Sequence, residues 1–200
     1  MEDLLSYRLS DLLLFSEQTF YRQHQLYRQW LGPFQYLAYL YGALFLFAWQ
    51  VQRKRIFCML ISFSVLFWVI CIYGYLGQLY AGINSMIRYL IPLLCIQPLL
   101  LLWGQKNRPV ITASRSAFIL WLVGLLLPVF ELAGGRSTDT LPAYALSPDS
   151  LAICSIALML IFRRSSLFFL PALSWLLFSA LTYLAEKSSP RRGLGRVVWF

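Results

Sequence analysis

Charge is scarce in this chain. Only 12% of the residues are charged, whereas 60% are hydrophobic, and a soluble domain carries roughly a quarter charged residues. A soluble domain of this size leaves much of its surface to water, so it could not hide this much apolar side chain. The composition therefore predicts that lipid surrounds most of the chain and that the bilayer is its first partner.

Acidic residues are fewer than basic ones, with 8 Asp and Glu against 17 Lys and Arg. The basic residues form short clusters between apolar runs rather than a stripe on one soluble face, so nucleic acid is not an expected partner. Short loops rich in Lys and Arg stay on the cytoplasmic side of a membrane. We therefore expect connections 52–55, 104–116 and 163–166 to be cytoplasmic.

Recognisable catalytic and metal-binding motifs are missing. The sequence has no HExxH, GxSxG or Gly-rich phosphate loop. The four cysteines lie in apolar runs without a CxxC pair, which predicts neither a disulfide framework nor a metal site. His24 is the only histidine, and a lone histidine on an interfacial helix is more often a surface residue. We expect no catalytic residue, metal or cofactor, and an enzyme ranks third among the hypotheses.

Long apolar runs dominate what is present. A helix that crosses a membrane needs about 20 mostly apolar residues at 1.5 Å each. Six runs approach this requirement, at 31–51, 56–77, 86–103, 117–132, 151–162 and 167–185. The prediction is an all-α polytopic transmembrane helix bundle of about six spans over residues 31–185, with an N-terminal arm (1–30) and a basic tail (186–200).

The fifth run, 151–162, leaves two topologies open. Its helix would be only about 18 Å long, against a hydrocarbon core of about 30 Å. It crosses fully if upstream residues add a turn and if Arg163 and Arg164 reach the head groups by snorkelling, and the C-terminus then lies outside. The alternative is a half-helix that enters and returns, which would place the basic tail inside.

The arm carries an amphipathic pattern in residues 16–33, "SEQTFYRQHQLYRQWLGP". Arginines and glutamines occupy one face of its helical wheel, and the other face holds three aromatic residues, Phe20, Tyr27 and Trp30. Aromatic rings of this kind prefer the membrane interface. We expect an interfacial helix, anchored by these three residues, that turns into the first span at Gly32. An anchor or packing helix is the favoured role, and a lid over a pathway is the alternative.

Few ionisable or polar residues fall within the spans. Arg88 lies near the start of the third span, and Glu131 ends the fourth span on the same side of the membrane. A charge inside a membrane is costly, so each of these residues is a functional candidate by default. A structural Arg88–Glu131 pair or a snorkelling Arg88 is favoured over contact with a solute or ion. Gln97 precedes Pro98 in mid-span and either bonds a neighbouring helix or lines a pathway beside a proline kink.

Three stretches carry a resemblance to a known group of proteins. They are "FYRQHQLYRQWLGP" at 20–33, the pair Ile83 and Asn84 before the third span, and "LPAYALSPDSLAICSIALML" at 141–160. They resemble a family of small bacterial integral membrane proteins of unknown function, in which an aromatic amphipathic arm precedes about six spans. The resemblance implies this architecture only, and it brings no activity. Our expectation is a multi-pass protein of the bacterial inner membrane.

Two functions remain as hypotheses. A small transporter or permease-like protein would use Arg88, Gln97, Glu131 and the kinking prolines, and it predicts a polar cavity that reaches mid-membrane. The alternative is a non-catalytic accessory or assembly subunit of a membrane complex, which the scarcity of polar residues favours. It predicts a filled bundle with an apolar flank for other subunits or for a second copy.

Overall fold

The computed structural model describes residues 17–107, 114–135, 138, 141, 144–162 and 166–188. The first part of the arm (1–16), the end of the tail (189–200) and the arginines 163 and 164 lie outside the described residues, as does the side chain of Phe20. All regular structure within the described ranges is helical, so the predicted all-α class is confirmed.

The helices account for most of the described residues. In chain order they are α1 (Glu17–Leu31), α2 (Gln35–Val51), α3 (Lys54–Ile70), the three-residue α4 (Ala81–Ile83), α5 (Ile87–Asn107), α6 (Arg115–Ala133), α7 (Pro148–Ile161) and α8 (Leu170–Ser188). Single 3₁₀ turns lie before α2 (Gly32–Phe34) and α8 (Ser166–Phe169). A ten-residue π-helix, Cys71–Tyr80, extends α3.

Five helical segments within the described ranges are long and apolar enough to cross a membrane. They are Tyr21–Val51, Lys54–Ile83, Ile87–Gly104, Arg115–Ala133 and Leu167–Leu184. The sixth, α7, has only 14 residues, as the short fifth apolar run predicted. The chain is therefore a multi-pass membrane protein.

Left-handed residues set two of the helix boundaries. Gly32 has φ +50°, a conformation that glycine adopts without steric cost. It lies where the arm was expected to turn into the first span, and Pro33 follows it in the 3₁₀ turn. Gln52 has φ +52° and ends α2, with its backbone N–H donating to the Ala48 carbonyl over 2.8 Å.

Two ring contacts show which helix ends lie together. Trp49, near the end of α2, has its ring centroid 5.1 Å from that of Phe118, near the start of α6. Trp103, near the end of α5, lies 6.0 Å from Phe168, just before α8. The three connections expected to share one side of the membrane therefore join helices at one end of the bundle. We call it the basic end, and we call the end where α6 and α8 finish the cavity end.

The helix α7 begins in the middle of the bundle rather than at its surface. The Ser150 hydroxyl donates to the carbonyl of Gly124, midway along α6, over 3.0 Å. The Trp175 indole N–H donates to Oδ1 of Asp149 over 2.9 Å, and Trp175 lies midway along the span Leu167–Leu184. From this level α7 runs to the basic end, where α8 starts.

An irregular buried stretch, residues 144–147, leads into α7, and we call it the entry segment. Its first residue, Tyr144, packs against Gly42 midway along α2, where an added Cβ would lie 3.0 Å from Tyr144 Cε1. Ala145 has φ +53°, a strained conformation for any residue with a Cβ. Non-helical backbone at membrane depth is tolerated only where protein buries it or a cavity adjoins it, and all four residues are buried.

Hydrogen bonds from side chains stabilise the entry segment. The Tyr27 hydroxyl donates to the Leu146 carbonyl over 3.2 Å, and Ser147 Oγ accepts from the Ser150 N–H over 3.4 Å as the cap of α7. Pro148 at the first helical position has no N–H to satisfy. These features explain why α7 starts at Pro148, three residues before the predicted run. The entry segment and α7 together run from the middle of the bundle to the basic end, where α8 begins.

Candidate functional site

A cavity of about 290 Å³ lies between α1, the π-helix, the last turns of α6, the start of α7 and the second half of α8. Three ionisable side chains line it, His24, Glu131 and Asp149. Its aromatic wall consists of Tyr75, Tyr80, Trp175, Phe178 and Tyr183. The cavity extends from the cavity end of the bundle down to the level at which α7 begins.

The π-helix positions two of the tyrosines. Residues five apart in an α-helix point about 140° away from each other, since each residue turns by about 100°. A π-helix closes its hydrogen bonds between residues five apart, so such residues lie above one another. Tyr75 and Tyr80 accordingly stack, with ring centroids 5.6 Å apart and planes inclined by 12°. Regular α-helix would not place both rings on the cavity.

Gly74 lets the arm helix approach the π-helix closely. A Cβ at this position would lie 2.7 Å from Cζ3 of Trp30, so any side chain there would displace the indole ring. Trp30 in turn stacks on Tyr27, with centroids 5.9 Å apart. Because α1 is held in this way, His24, which lies one turn before Tyr27 on α1, reaches the cavity wall.

His24 is buried, with 6% of its surface exposed, so the expectation of a surface histidine is wrong. Its ring nitrogens lie 3.3 and 3.4 Å from the Tyr75 hydroxyl. On the helical wheel of residues 16–33, His24 lies at the edge of the apolar face, which is only a weak indication that it is buried. What the wheel could not show is the partner, since Tyr75 comes from another span.

Asp149 is the second functional candidate that sequence reasoning did not select. It occupies the first turn of α7, where the partial positive charge of a helix N-terminus favours a carboxylate. The Trp175 N–H holds its Oδ1. Serine, proline and aspartate at 147–149 are typical of a helix start, but nothing in this local pattern shows that the start lies in the middle of the bundle.

The predicted Arg88–Glu131 pair meets two different surroundings. Glu131 lines the cavity and is half-buried. Arg88 lies exposed in the first turn of α5 and is not among the residues that line the cavity. An exposed arginine at the start of a span fits the snorkelling alternative, and the ion pair stays a prediction.

Gln97 is fully buried in α5, and neither its Oε1 nor its Nε2 has a hydrogen-bond partner. The expected bond to a neighbouring helix is therefore not formed. Gln97 also does not line the cavity. A buried unpaired amide costs roughly 1–3 kcal/mol.

The three expected interfacial anchors differ in their surroundings. Tyr27 is 2% exposed and lies inside the protein, where it meets Tyr75 at a centroid distance of 5.2 Å. Trp30 is 57% exposed, as an anchor at the interface would be. Arg28 adds a hydrogen bond to the carbonyl of Thr138. The arm is therefore a packing helix for the bundle, and His24 also gives it a place in the cavity wall.

The chemistry of the cavity is that of a binding site with two carboxylates, one imidazole and aromatic walls. In the parts of the chain that the structure describes, no group of three or more His, Cys, Asp or Glu side chains could hold a metal ion. A scan against models of protein families, a search of curated proteins and a search of solved structures each find no match for this chain.

Proposed function

We propose that this protein is a small transporter or permease-like protein that takes up its solute in the cavity. One observation carries the proposal: the cavity, with its three ionisable side chains, reaches the level where the crossing of α7 is broken. Ionisable residues inside a membrane domain are costly, and they mark solute and ion pathways.

The broken crossing gives this observation its weight. Transporters bind solutes near the bilayer midplane, at helices that are interrupted there. The entry segment and α7 form such an interrupted crossing, and Asp149 in the first turn of α7 lines the cavity. A protein that needed only to fill a membrane could use a continuous sixth helix instead.

A second candidate, an accessory or assembly subunit, is favoured by the outer helices. In each of the spans Arg115–Ala133 and Leu167–Leu184, only 17% of the 18-residue apolar stretch is buried inside the protein. These faces would contact either lipid or another subunit. A subunit needs no pathway through the bundle, so water access on the two sides of α7 discriminates between the candidates.

We further propose that the membrane is the bacterial inner membrane and that the basic end is cytoplasmic. Arg53, Lys54, Arg55 and Arg115 support this orientation, because all four are exposed at that end and positive charge is retained on the cytoplasmic side. The resemblance to small bacterial membrane proteins supports the choice of membrane.

The test uses labelling of single cysteines by a charged, membrane-impermeant thiol reagent, in a background without the other native cysteines. Ser179→Cys places a thiol on the cavity wall and should be labelled from the cavity end. Leu181→Cys is the matched control, because its position on α8 is 48% exposed but does not line the cavity. A lipid-facing thiol meets no water and should stay unlabelled.

Two native cysteines extend the test to the filled side of α7. Cys154 is buried beside Gly124, one turn beyond Asp149, whereas Cys95 is exposed on α5. A transporter that alternates its access should label Cys154 slowly from the basic end and leave Cys95 unlabelled. No labelling of a folded Ser179→Cys variant overturns the proposal. Labelling of Ser179→Cys without any labelling of Cys154 favours the subunit candidate.

A further inference from the structure

We infer that the cavity binds a small organic ammonium ion. This inference rests on the proposed function, because it names the solute class of the same cavity. The wall combines two carboxylates with five aromatic side chains, and no lysine or arginine lines it among the residues that the structure describes. Aromatic faces attract ammonium cations through the ring quadrupole, and such cages are a recurring way to bind quaternary ammonium groups.

The negative charge comes from the ends of two neighbouring helices. Glu131 closes α6, and Asp149 begins α7. Neither carboxylate has to be free of protein partners, because the field of a carboxylate in a low-dielectric wall acts on any cation in the cavity. An anionic solute would meet the repulsion of both carboxylates, and among the described lining residues only the His24 imidazole could carry a positive charge to offset it.

The aromatic faces come from the π-helix and α8. Tyr75 and Tyr80 stand stacked on one side, and Trp175 meets Tyr80 edge-on at a centroid distance of 6.5 Å. The indole N–H of Trp175 is already directed to Asp149, so Trp175 joins the aromatic wall to the carboxylate.

The apolar part of the wall selects an organic cation over a metal ion. Leu127, Ile153 and Leu176 line the cavity together with the aromatic residues. Hard metal cations require six or more oxygen ligands, which this wall does not supply. Alkyl groups on a nitrogen would instead pack against these side chains, while the nitrogen charge faces the carboxylates. The hydroxyls of Ser179 and Thr182 offer hydrogen bonds to a polar tail.

The test compares choline with 3,3-dimethyl-1-butanol, its uncharged analogue of nearly the same shape, by calorimetric titration of the full chain in mild detergent. Choline should bind at least about tenfold more tightly than the alcohol. Glu131→Gln should weaken choline binding about tenfold or more and leave the weak binding of the alcohol unchanged. Arg88→Gln is the control for a charge change outside the cavity wall, and it should leave choline binding unchanged.

A second pair of variants tests the aromatic wall. Tyr183→Leu removes a ring that lines the cavity, and Tyr73→Leu removes one that is similarly exposed, at 64% against 57%, but does not line it. Only Tyr183→Leu should weaken choline binding, by about threefold or more. Equal binding of choline and the alcohol, or tighter binding of acetate than of choline, would overturn the inference. The cysteine labelling of Ser179 is independent of these titrations, so a wrong solute class and a wrong function remain distinguishable.

Discussion

The two halves of the bundle are built differently. Toward the basic end, aromatic rings fill the space: Phe45 and Trp121 stack with centroids 3.8 Å apart, and Phe57 meets Phe45 edge-on at 6.4 Å. Toward the cavity end, the π-helix and the entry segment replace regular helix, and a cavity of about 290 Å³ lies beside the π-helix and the start of α7.

This difference shows where irregular backbone is placed. Regular α-helix satisfies its own backbone hydrogen bonds and packs closely, so the backbone of the filled half needs no side chains as additional hydrogen-bond partners. Irregular backbone needs side chains as partners: the Tyr27 hydroxyl donates to the entry segment at the Leu146 carbonyl, and Ser147 caps the first turn of α7. Side chains from five helical elements, the π-helix among them, line the one cavity in this half. Function is therefore expected in the half with the less regular backbone.

The largest expected effect is an all-or-none difference between the two ends. A reporter fused after Phe200 and another inserted at Gln52 should be active on opposite sides of the membrane, because α8 finishes at the cavity end and the α2–α3 connection lies at the basic end. A pair of reporters, one active only in the cytoplasm and one only in the periplasm, measures this. Activity on the same side would mean that α7 returns without crossing.

Stability should respond unequally in the two halves. Trp121→Ala removes a fully buried ring from the filled half and should lower the free energy of unfolding by roughly 3–5 kcal/mol. Tyr183→Ala, at a cavity-lining position that is 57% exposed, should cost less than about 1 kcal/mol, since surface changes rarely cost more. Unfolding in mixed detergent micelles gives both values. Equal losses would contradict the division into a filled and a hollow half.

The attachment of the arm should depend more on Tyr27 than on Trp30. Tyr27→Ser removes a buried ring and leaves the Leu146 carbonyl unpaired, which should cost about 1–3 kcal/mol from the lost hydrogen bond alone. Trp30→Ser removes a ring that is 57% exposed and should cost less. Limited proteolysis measures the result as cleavage between α1 and α2. The triple change of Phe20, Tyr27 and Trp30 to serine should give the fastest cleavage while the spans stay folded. Rapid cleavage of the unmodified arm would show that α1 is not packed on the bundle.

Much of the fold could be predicted because apolar length is a strong signal. A helix that crosses a membrane needs about 20 apolar residues. Five of the six apolar runs in the sequence coincide with helices that are long and apolar enough to cross. The turn at Gly32 was also predictable, because Gly32 and Pro33 interrupt a helical pattern. The grouping of the basic connections followed from their charges alone.

The site could not be predicted, because its residues meet through tertiary contacts. The hydrogen bond between Tyr27 and Leu146 joins residues 119 positions apart, and nothing local to residues 144–147 distinguishes a buried segment from a surface loop. The π-helix depends on contacts such as that of Gly74 with Trp30, which single-residue preferences do not encode. His24 and Asp149 line one cavity only because the fold brings α1 and α7 together with the second half of α8.

The smallest expected effect concerns Arg88 and Glu131, which the sequence favoured as a pair. Arg88→Ala should change the free energy of unfolding by no more than about 0.5 kcal/mol, because the side chain is exposed. The double variant with Glu131→Ala should then cost the sum of the two single changes within about 0.5 kcal/mol, as residues without a shared contact do. Thermal melts of the four proteins in one detergent measure this coupling. A coupling above about 1 kcal/mol would mean that Arg88 reaches Glu131, and the field of the cavity would then be weaker than its lining residues imply. In that case Arg88→Ala should also tighten the binding of choline, because it would remove the positive charge that neutralises Glu131.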